Sequence, residues 1–259
     1  VTLAFWSDRF NRDFAERCVN VYNTLKKPTV PVRYMQVEGI YTTKILTLIA
    51  AGTPPDIMLL TPHEMGDFVS RDVILDLSSF FNTDSEINSI KNDIWPHLLD
   101  AKMFRGRDYG APIWTNSMGI FYNKDIFDKE SLPYPDGTWD WSEFLEVAQK
   151  LTKDKDGNGR IDQFGFGGIP YRLDPWYLHT YIRQNCGDLY NKEKTDCLVD
   201  SPESIEAIQW VIDLANKYHV APTLSEMASD QFGWGCETYF ITGKVAMVWG
   251  GRWMILPIS

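Results

Sequence analysis

Apolar residues in this chain switch between two periods. Val1–Trp6 reads as a buried strand. Phe10, Phe14, Cys18, Val21, Tyr22 and Leu25 then recur at helical spacing and predict an amphipathic helix over about 9–26, facing the core with that stripe and stopped by Pro28. Val30, Val32 and Tyr34 alternate, which predicts a strand. Tyr41, Ile45, Leu48 and Ile49 form a second helical stripe ended by Gly52, and Asp56–Leu60 is a short apolar run of the kind found in buried parallel strands. Strand, helix, strand, helix, strand implies an α/β fold with a parallel sheet covered on both faces. Ligands of such sheets sit beyond the carboxyl ends of the strands, here Trp6-Ser7-Asp8, Val37-Glu38-Gly39 and Leu60-Thr61-Pro62-His63.

Further on, Tyr109–Asn123 reads as a strand crossing from one body to another, with a polar patch at Thr115-Asn116-Ser117. A helix is expected over about 142–151 with Phe144, Val147, Ala148 and Leu151 on one face. Another is expected from Ser201-Pro202 to about Tyr218, a capping residue followed by proline at the first helical position, with Ile205, Ile208, Val211, Ile212 and Ala215 inward. Val245–Trp249 reads as a strand, and Gly250-Gly251-Arg252 opens new structure shortly before Ser259.

Charge narrows the functional classes. A net charge of −10 in 259 residues leaves no basic face for nucleic acid or for an anionic membrane. No apolar run reaches the roughly 20 residues of a membrane helix. The four cysteines form no CxxC pair, and no histidine stands at zinc spacing from them. Cys186 and Cys197, eleven residues apart with Gly, Asp and Asn between, fit either the two arms of a disulfide-closed hairpin or two reduced thiols.

Catalytic signatures are missing: there is no GxSxG, Walker loop, HExxH or GxGxxG after a strand. Asp154-Lys155-Asp156-Gly157-Asn158-Gly159-Arg160-Ile161-Asp162 matches the first part of a calcium loop, with Asp154, Asp156 and Asn158 at positions 1, 3 and 5, the Arg160 carbonyl at 7 and Asp162 at 9. Gly165 stands where the bidentate glutamate would close it; a solvated turn is the other reading. The chain has 10 Trp, 12 Tyr and 14 Phe. Trp6, Trp114, Tyr171, Trp176, Trp234 and Trp253 sit beside Gly, Pro and polar residues at the ends of elements rather than inside periodic runs. With Asp8, Glu38, His63 and Asn116 they make a saccharide site: rings stack on the C–H faces of sugars, and carboxylates and amides bind the hydroxyls.

Several stretches resemble one family. Ala50-Ala51-Gly52-Thr53-Pro54-Pro55-Asp56, Tyr109–Ile113, Phe121–Asp125, Thr138-Trp139-Asp140-Trp141 and Gly243–Met247 leading to Gly251-Arg252-Trp253 are together similar to the extracellular solute-binding proteins of ABC importers, in the sugar-binding group typified by maltose-binding protein. The resemblance implies a two-lobed periplasmic-binding-protein-like α/β fold with a hinge. Residues 1–112 would form the first lobe, lacking the C-terminal segment that returns to it in the family, and 113–259 the hinge strand and an incomplete second lobe, so that the chain is truncated at its C-terminus. It also implies ligand contacts at Trp6, Asp8, Glu38, His63 and Asn116, stacking at Tyr171 and Trp253, and looser equivalents at Trp176 and Trp234.

The implied function is to capture a carbohydrate by hinge closure and deliver it to the transmembrane subunits of an ABC permease, as an extracellular or periplasmic, lipid-anchored monomer whose signal segment is absent from this chain. It is not an enzyme, binds no nucleic acid and needs no cofactor beyond structural calcium. Two alternatives remain: the same fold binding a polyamine or glycerophosphodiester, and a carbohydrate-active hydrolase with a carboxylate pair. Arg9, Arg172 and Arg252 favour an uncharged or anionic ligand over a polyamine.

Overall fold

Strand β1 (Thr2–Trp6) pairs in parallel with β2 (Arg33–Val37) on one side and β3 (Ile57–Met58) on the other, giving the order β2-β1-β3. The computed structural model describes residues 1–6, 9–101, 103–168, 175–192, 195–223, 225–226 and 237–255. Two compact units divide the chain, Val1–Ile113 and Trp114–Ser259.

In the first unit, successive β1 side chains serve opposite faces, as a pleated strand requires. Ala4 and Trp6 join a core with Val37, with Tyr41 and Ile45 of α2 (Tyr41–Ala50), and with Phe68 of α3 (Pro62–Ser70). Phe5 lies against Phe14 of α1 (Arg9–Lys26), ring centroids 6.2 Å apart. The helix has the expected extent, but its core face differs from the expected one. Ala15 and Val19 are the buried positions, small enough to let the helix lie close over β1 and β2. Phe14, Cys18, Val21, Tyr22 and Leu25 stand open to solvent, Leu25 at 75% exposure; the Phe10 side chain lies outside the described residues.

The second strand also begins later than the alternation predicts. Val30 is exposed, and Pro31 has no N–H to pair. The Asn23 side chain of α1 holds Val32 from both sides, donating to its carbonyl at 2.8 Å and accepting its amide at 2.9 Å, so pairing starts at Arg33. Short helices α4 (Ser78–Thr83), α5 (Ser85–Ile90) and α6 (Pro96–Ala101) and a two-stranded hairpin, β4 (Met103–Phe104) with β5 (Arg107–Asp108), complete the unit. The hairpin turn places Arg105 and Gly106 at φ of 50° and 75°, the signature of the turn whose twist suits a two-residue hairpin.

The second unit is built on a sheet of order β6-β8-β7: β6 (Met118–Tyr122) runs antiparallel to β8 (Val245–Gly251), and β7 (Phe164–Gly167) runs parallel to it. The expected strand over 109–123 shortens to Met118–Tyr122. Residues 109–117 form no ladder, and Pro112 cannot donate to one. Helices α7 (Lys124–Lys129), α8 (Trp141–Leu151), α9 (Pro175–Gln184) and α10 (Pro202–Asn216) pack around β8, every residue of which is buried. Asp140 caps α8 in a reciprocal box with Glu143, one residue outside the expected start, and Ser201 caps α10 ahead of Pro202, as the sequence predicts for α10.

The buried face of α10 departs from the apolar stripe. Ser204, Ala207, Val211, Leu214 and Ala215 face inward while Ile205 is 55% exposed. Close approach explains this. A Cβ on Gly187 would stand 2.9 Å from both the Ser204 hydroxyl and Ile182, so only small residues fit where α10 meets α9. The hairpin expected between the two cysteines exists, with the Leu198 amide donating to the Leu189 carbonyl at 2.8 Å, yet both thiols are unbonded. Cys197 faces Tyr190 across the hairpin, whereas Cys186 occupies a left-handed position just after α9.

Candidate binding site and metal loop

Parallel pairing brings the carboxyl ends of β1, β2 and β3 to one edge of the first sheet. Trp6 and Val37 are the last pair of their ladder, so Trp6 and Glu38 leave the sheet side by side. Trp6 is half-buried, its ring edge-on to Tyr41 at 5.9 Å and its carbonyl accepting the Tyr34 hydroxyl at 3.3 Å. Glu38 is exposed and accepts from Gln36 at 3.3 Å; Gly39 follows at φ 84°, turning the chain into α2.

Thr61 begins α3 through a reciprocal capping box with Glu64, and Pro62 fills the first helical position. Glu64 accepts the Thr61 amide at 2.9 Å, the Thr61 hydroxyl at 2.6 Å and the Thr42 hydroxyl in a short contact. The Thr61 hydroxyl also lies 3.2 Å from Nε2 of the exposed His63. Thr-Pro-x-Glu at 61–64 already spells this capped start in the sequence.

In the second unit, the Met118–Gly251 pair sets the geometry. Antiparallel register carries Asn116, two residues before Met118, to the same edge as Trp253, two residues after Gly251. The parallel β7 ends at that edge too, where the backbone passes Trp249 closely: a Cβ on Gly168 would meet the Trp249 backbone nitrogen at 3.0 Å. Asn116 is exposed, and Trp253 lies in a single 3-10 turn, Arg252–Met254. Trp176 belongs to the first turn of α9 rather than to a loop, and its neighbour Tyr177 holds its ring 4.3 Å from that of Trp249. Asp8, Tyr171 and Trp234 lie outside the described residues, as do the side chains of Trp176 and Trp253.

The loop after α8 gathers oxygen. One carboxylate oxygen from each of Asp154, Asp156 and Asp162 falls within 4.8 Å of the others. The amides of Gly157 and Gly159 donate to Asp154 at 2.8 Å, and the Asn158 side-chain oxygen accepts the Arg160 amide at 2.8 Å. The Asp154 carboxyl is held below the usual carboxylate range, first by the Gly159 amide and further by those of Gly157 and Asn158, which together outweigh the opposing effect of desolvation. Hard, anionic oxygens at this spacing fit calcium. The twelfth position does not: Gly165 is buried in β7, and a Cβ there would sit 2.0 Å from the Ala148 carbonyl oxygen, so no glutamate can close the loop.

The profile of the bacterial extracellular solute-binding proteins matches residues 9–258. The chain belongs to this family. A solute-binding protein of this kind is a two-lobed periplasmic-binding-protein fold, and its family consists of substrate-binding proteins rather than enzymes. The chain is similar to an ABC substrate-binding protein of Listeria monocytogenes solved in complex with cycloalternan, at 26% identity and a TM-score of 0.81, over 98% of this chain and 61% of that one. It is 26% identical over 205 residues to a protein of Brucella abortus named only as a binding protein, covering 79% of this chain and 46% of the relative. It is 23% identical over 266 residues to the galactooligosaccharide-binding protein of Bacillus subtilis, covering 99% of this chain and 56% of that protein. The chain thus spans about half the length of the curated relatives it matches. No helix among the described residues is long and apolar enough to cross a membrane.

Proposed function

We propose that the whole protein captures a carbohydrate outside the cytoplasmic membrane and hands it, chemically unchanged, to an ABC permease. The observation that carries this reading is the grouping of Trp6, Glu38 and His63 at one sheet edge and of Asn116 and Trp253 at another. The first edge offers a ring beside polar groups, the pairing a sugar needs for its C–H faces and its hydroxyls, and the second is assigned the same pairing by its residue types. Asp8, Tyr171, Trp176 and Trp234 are assigned to the same site by their places in the sequence. A ligand held by both edges at once favours whichever arrangement of the units lets both hold it, and so shifts the population towards a closed form.

Two relatives support a saccharide: the one solved with cycloalternan and the one named for galacto-oligosaccharides. The protein acts as a monomer, needs no cofactor for binding, and uses the Asp154–Asp162 loop as a weak structural calcium site. The test is a thermal-shift and calorimetric screen of the full-length protein against mono- and oligosaccharides, polyamines and glycerophosphodiesters. A saccharide that raises the midpoint and is recovered intact supports the proposal. Hydrolysis of the bound saccharide transfers the reading to an enzyme. A response to polyamines or phosphodiesters alone keeps the fold and changes the ligand.

A further inference from the structure

Helix α2 starts without a capping device of its own. Its N-cap, Ile40, offers no side-chain hydrogen bond, and its first turn carries no acidic residue to meet the positive end of the helix dipole. The missing group comes from α3. There Glu64 closes the capping box with one carboxylate oxygen, Oε2, which accepts both the amide and the hydroxyl of Thr61. Its other oxygen, Oε1, is not needed for that cap. It accepts the hydroxyl of Thr42, in the first turn of α2 and 22 residues earlier in the chain. One half-buried carboxylate therefore braces the starts of two helices. Beside Thr42 stands Tyr41, whose ring packs on Trp6 and whose hydroxyl bonds the Ala4 carbonyl and the Leu59 amide.

We propose that Glu64 is a positioning residue for the first edge of the candidate site, acting through Thr42 and Thr61 to fix His63 relative to Trp6 and Glu38. The carboxylate acts without touching the sugar. Thr61, which it holds by two bonds, has its hydroxyl 3.2 Å from Nε2 of His63, so a displaced Thr61 moves the imidazole. Thr42, which it holds on the other side, lies in the turn that the chain enters from Glu38 through Gly39. The sheet alone anchors this corner weakly. Strand β3 has only two ladder pairs, and α3 begins four residues after it ends, so the start of α3 depends on a second attachment. The inference rests on the carbohydrate reading for the statement that these residues meet a sugar; the brace itself does not.

Glu64→Ala would remove the cap of α3 as well, so the brace is tested from Thr42 in the full-length protein. Thr42→Val keeps the shape and removes the hydroxyl; Thr42→Ser keeps the hydroxyl and removes the methyl. The imidazole signals of the ligand-free protein, read by proton–carbon NMR, report on His63 directly. His97, His179 and His219 serve as internal references, and His63→Gln identifies the signal. Thr42→Val is expected to shift the His63 signal and leave the three references in place, and Thr42→Ser to leave all four. Calorimetry with cycloalternan and a galacto-oligosaccharide, the sugars named for two relatives, gives the second reading. Whichever sugar the parent binds should bind Thr42→Val at least about fivefold more weakly and Thr42→Ser as it binds the parent, the loss of one hydrogen bond's worth of positioning. A His63 signal unmoved by Thr42→Val overturns the proposal, and so does one moved equally by Thr42→Ser. Unchanged affinity in Thr42→Val for a sugar that the parent binds overturns it too. Binding of neither sugar by the parent counts against the carbohydrate reading and leaves the His63 signal to decide the brace.

Discussion

The Tyr41 hydroxyl donates to the Ala4 carbonyl at 3.1 Å and accepts the Leu59 amide at 3.0 Å. One buried phenol thereby ties β1 to the chain leaving β3, where the ladder itself has only two residue pairs. Burial raises its pKa well above the ordinary tyrosine range, which keeps the proton needed for donation. Tyr41→Phe retains the ring beside Trp6 and removes only this tie. The expected cost is about 1–2 kcal/mol in denaturant unfolding, with the ring contact to Trp6 kept.

Tyr181 gives the opposite expectation. Its ring lies near those of Trp210 and Trp249, and its buried hydroxyl finds no hydrogen-bond partner among the described residues. A buried, unpaired hydroxyl costs stability, so Tyr181→Phe is expected to leave the protein unchanged or to stabilise it by about 1 kcal/mol. Comparing the two variants by chemical denaturation checks both. Destabilisation by Tyr181→Phe equal to that of Tyr41→Phe would reveal a bound water completing the hydroxyl.

Acid sensitivity follows from carboxylates that the fold holds ionised. Asp56 lies below the usual carboxylate range, chiefly because the Thr2 amide and then the Thr2 hydroxyl donate to it, each at 2.8 Å. Asp76, Asp136, Asp140 and Asp154 are shifted in the same direction by nearby hydroxyls and amides. A depressed folded-state pKa means that the unfolded chain binds the proton first. The stabilisation is therefore complete above the unfolded value of about 3.9 and disappears as pH falls through the lower folded value. Midpoints measured against pH should stay level from neutrality to about pH 5 and drop below about pH 4. Asp56→Asn should lower the midpoint at neutral pH and converge with the parent in strong acid.

Calcium should act weakly. With the Gly165 position closed to any side chain, the loop offers three carboxylates, one amide oxygen and a carbonyl, so a dissociation constant of about 10⁻⁴–10⁻³ M is expected. At 10 mM calcium this corresponds to a gain of about 1–3 kcal/mol, seen as a raised midpoint that Asp156→Ala abolishes. Gly165→Glu, instead of completing the site, should unfold the second unit, because its Cβ would occupy the Ala148 carbonyl.

Much of this was legible before any coordinates. The extent of α1, the presence of α8, the capped start of α10, the parallel first sheet and the convergence of Asp154, Asp156 and Asp162 all follow from patterns in the sequence, because caps and turns are made by neighbouring residues. What pattern alone misassigned was which face of a helix meets the core. On α1 the larger stripe lost to Ala15 and Val19, and on α10 Ile205 lost to Ser204 and Ala207, since closeness of packing selects small residues that a hydrophobicity count ignores. The site divides in the same way. Strand ends placed Trp6, Glu38 and His63 at a sheet edge, whereas Asn116 was expected inside a strand that begins only at Met118, and the tie through Tyr41 joins residues far apart in sequence and leaves no local signature.

Register makes the ligand-binding assignment testable without knowing the ligand. Asn116 and Trp253 flank the Met118–Gly251 pair at one edge, beyond the buried body of β8. Trp253→Ala removes the stacking surface and is expected to weaken binding of the saccharide identified by screening at least tenfold, about 1.4 kcal/mol. Asn116→Ala removes a hydroxyl partner and should cost about 1 kcal/mol. In the proposed site the two residues share one ligand, so the losses in the double variant should depart from additivity, which calorimetric titration of the four proteins measures directly. Strict additivity with unchanged unfolding midpoints would mean that they do not share a ligand, and unchanged affinity for either variant would remove that residue from the site.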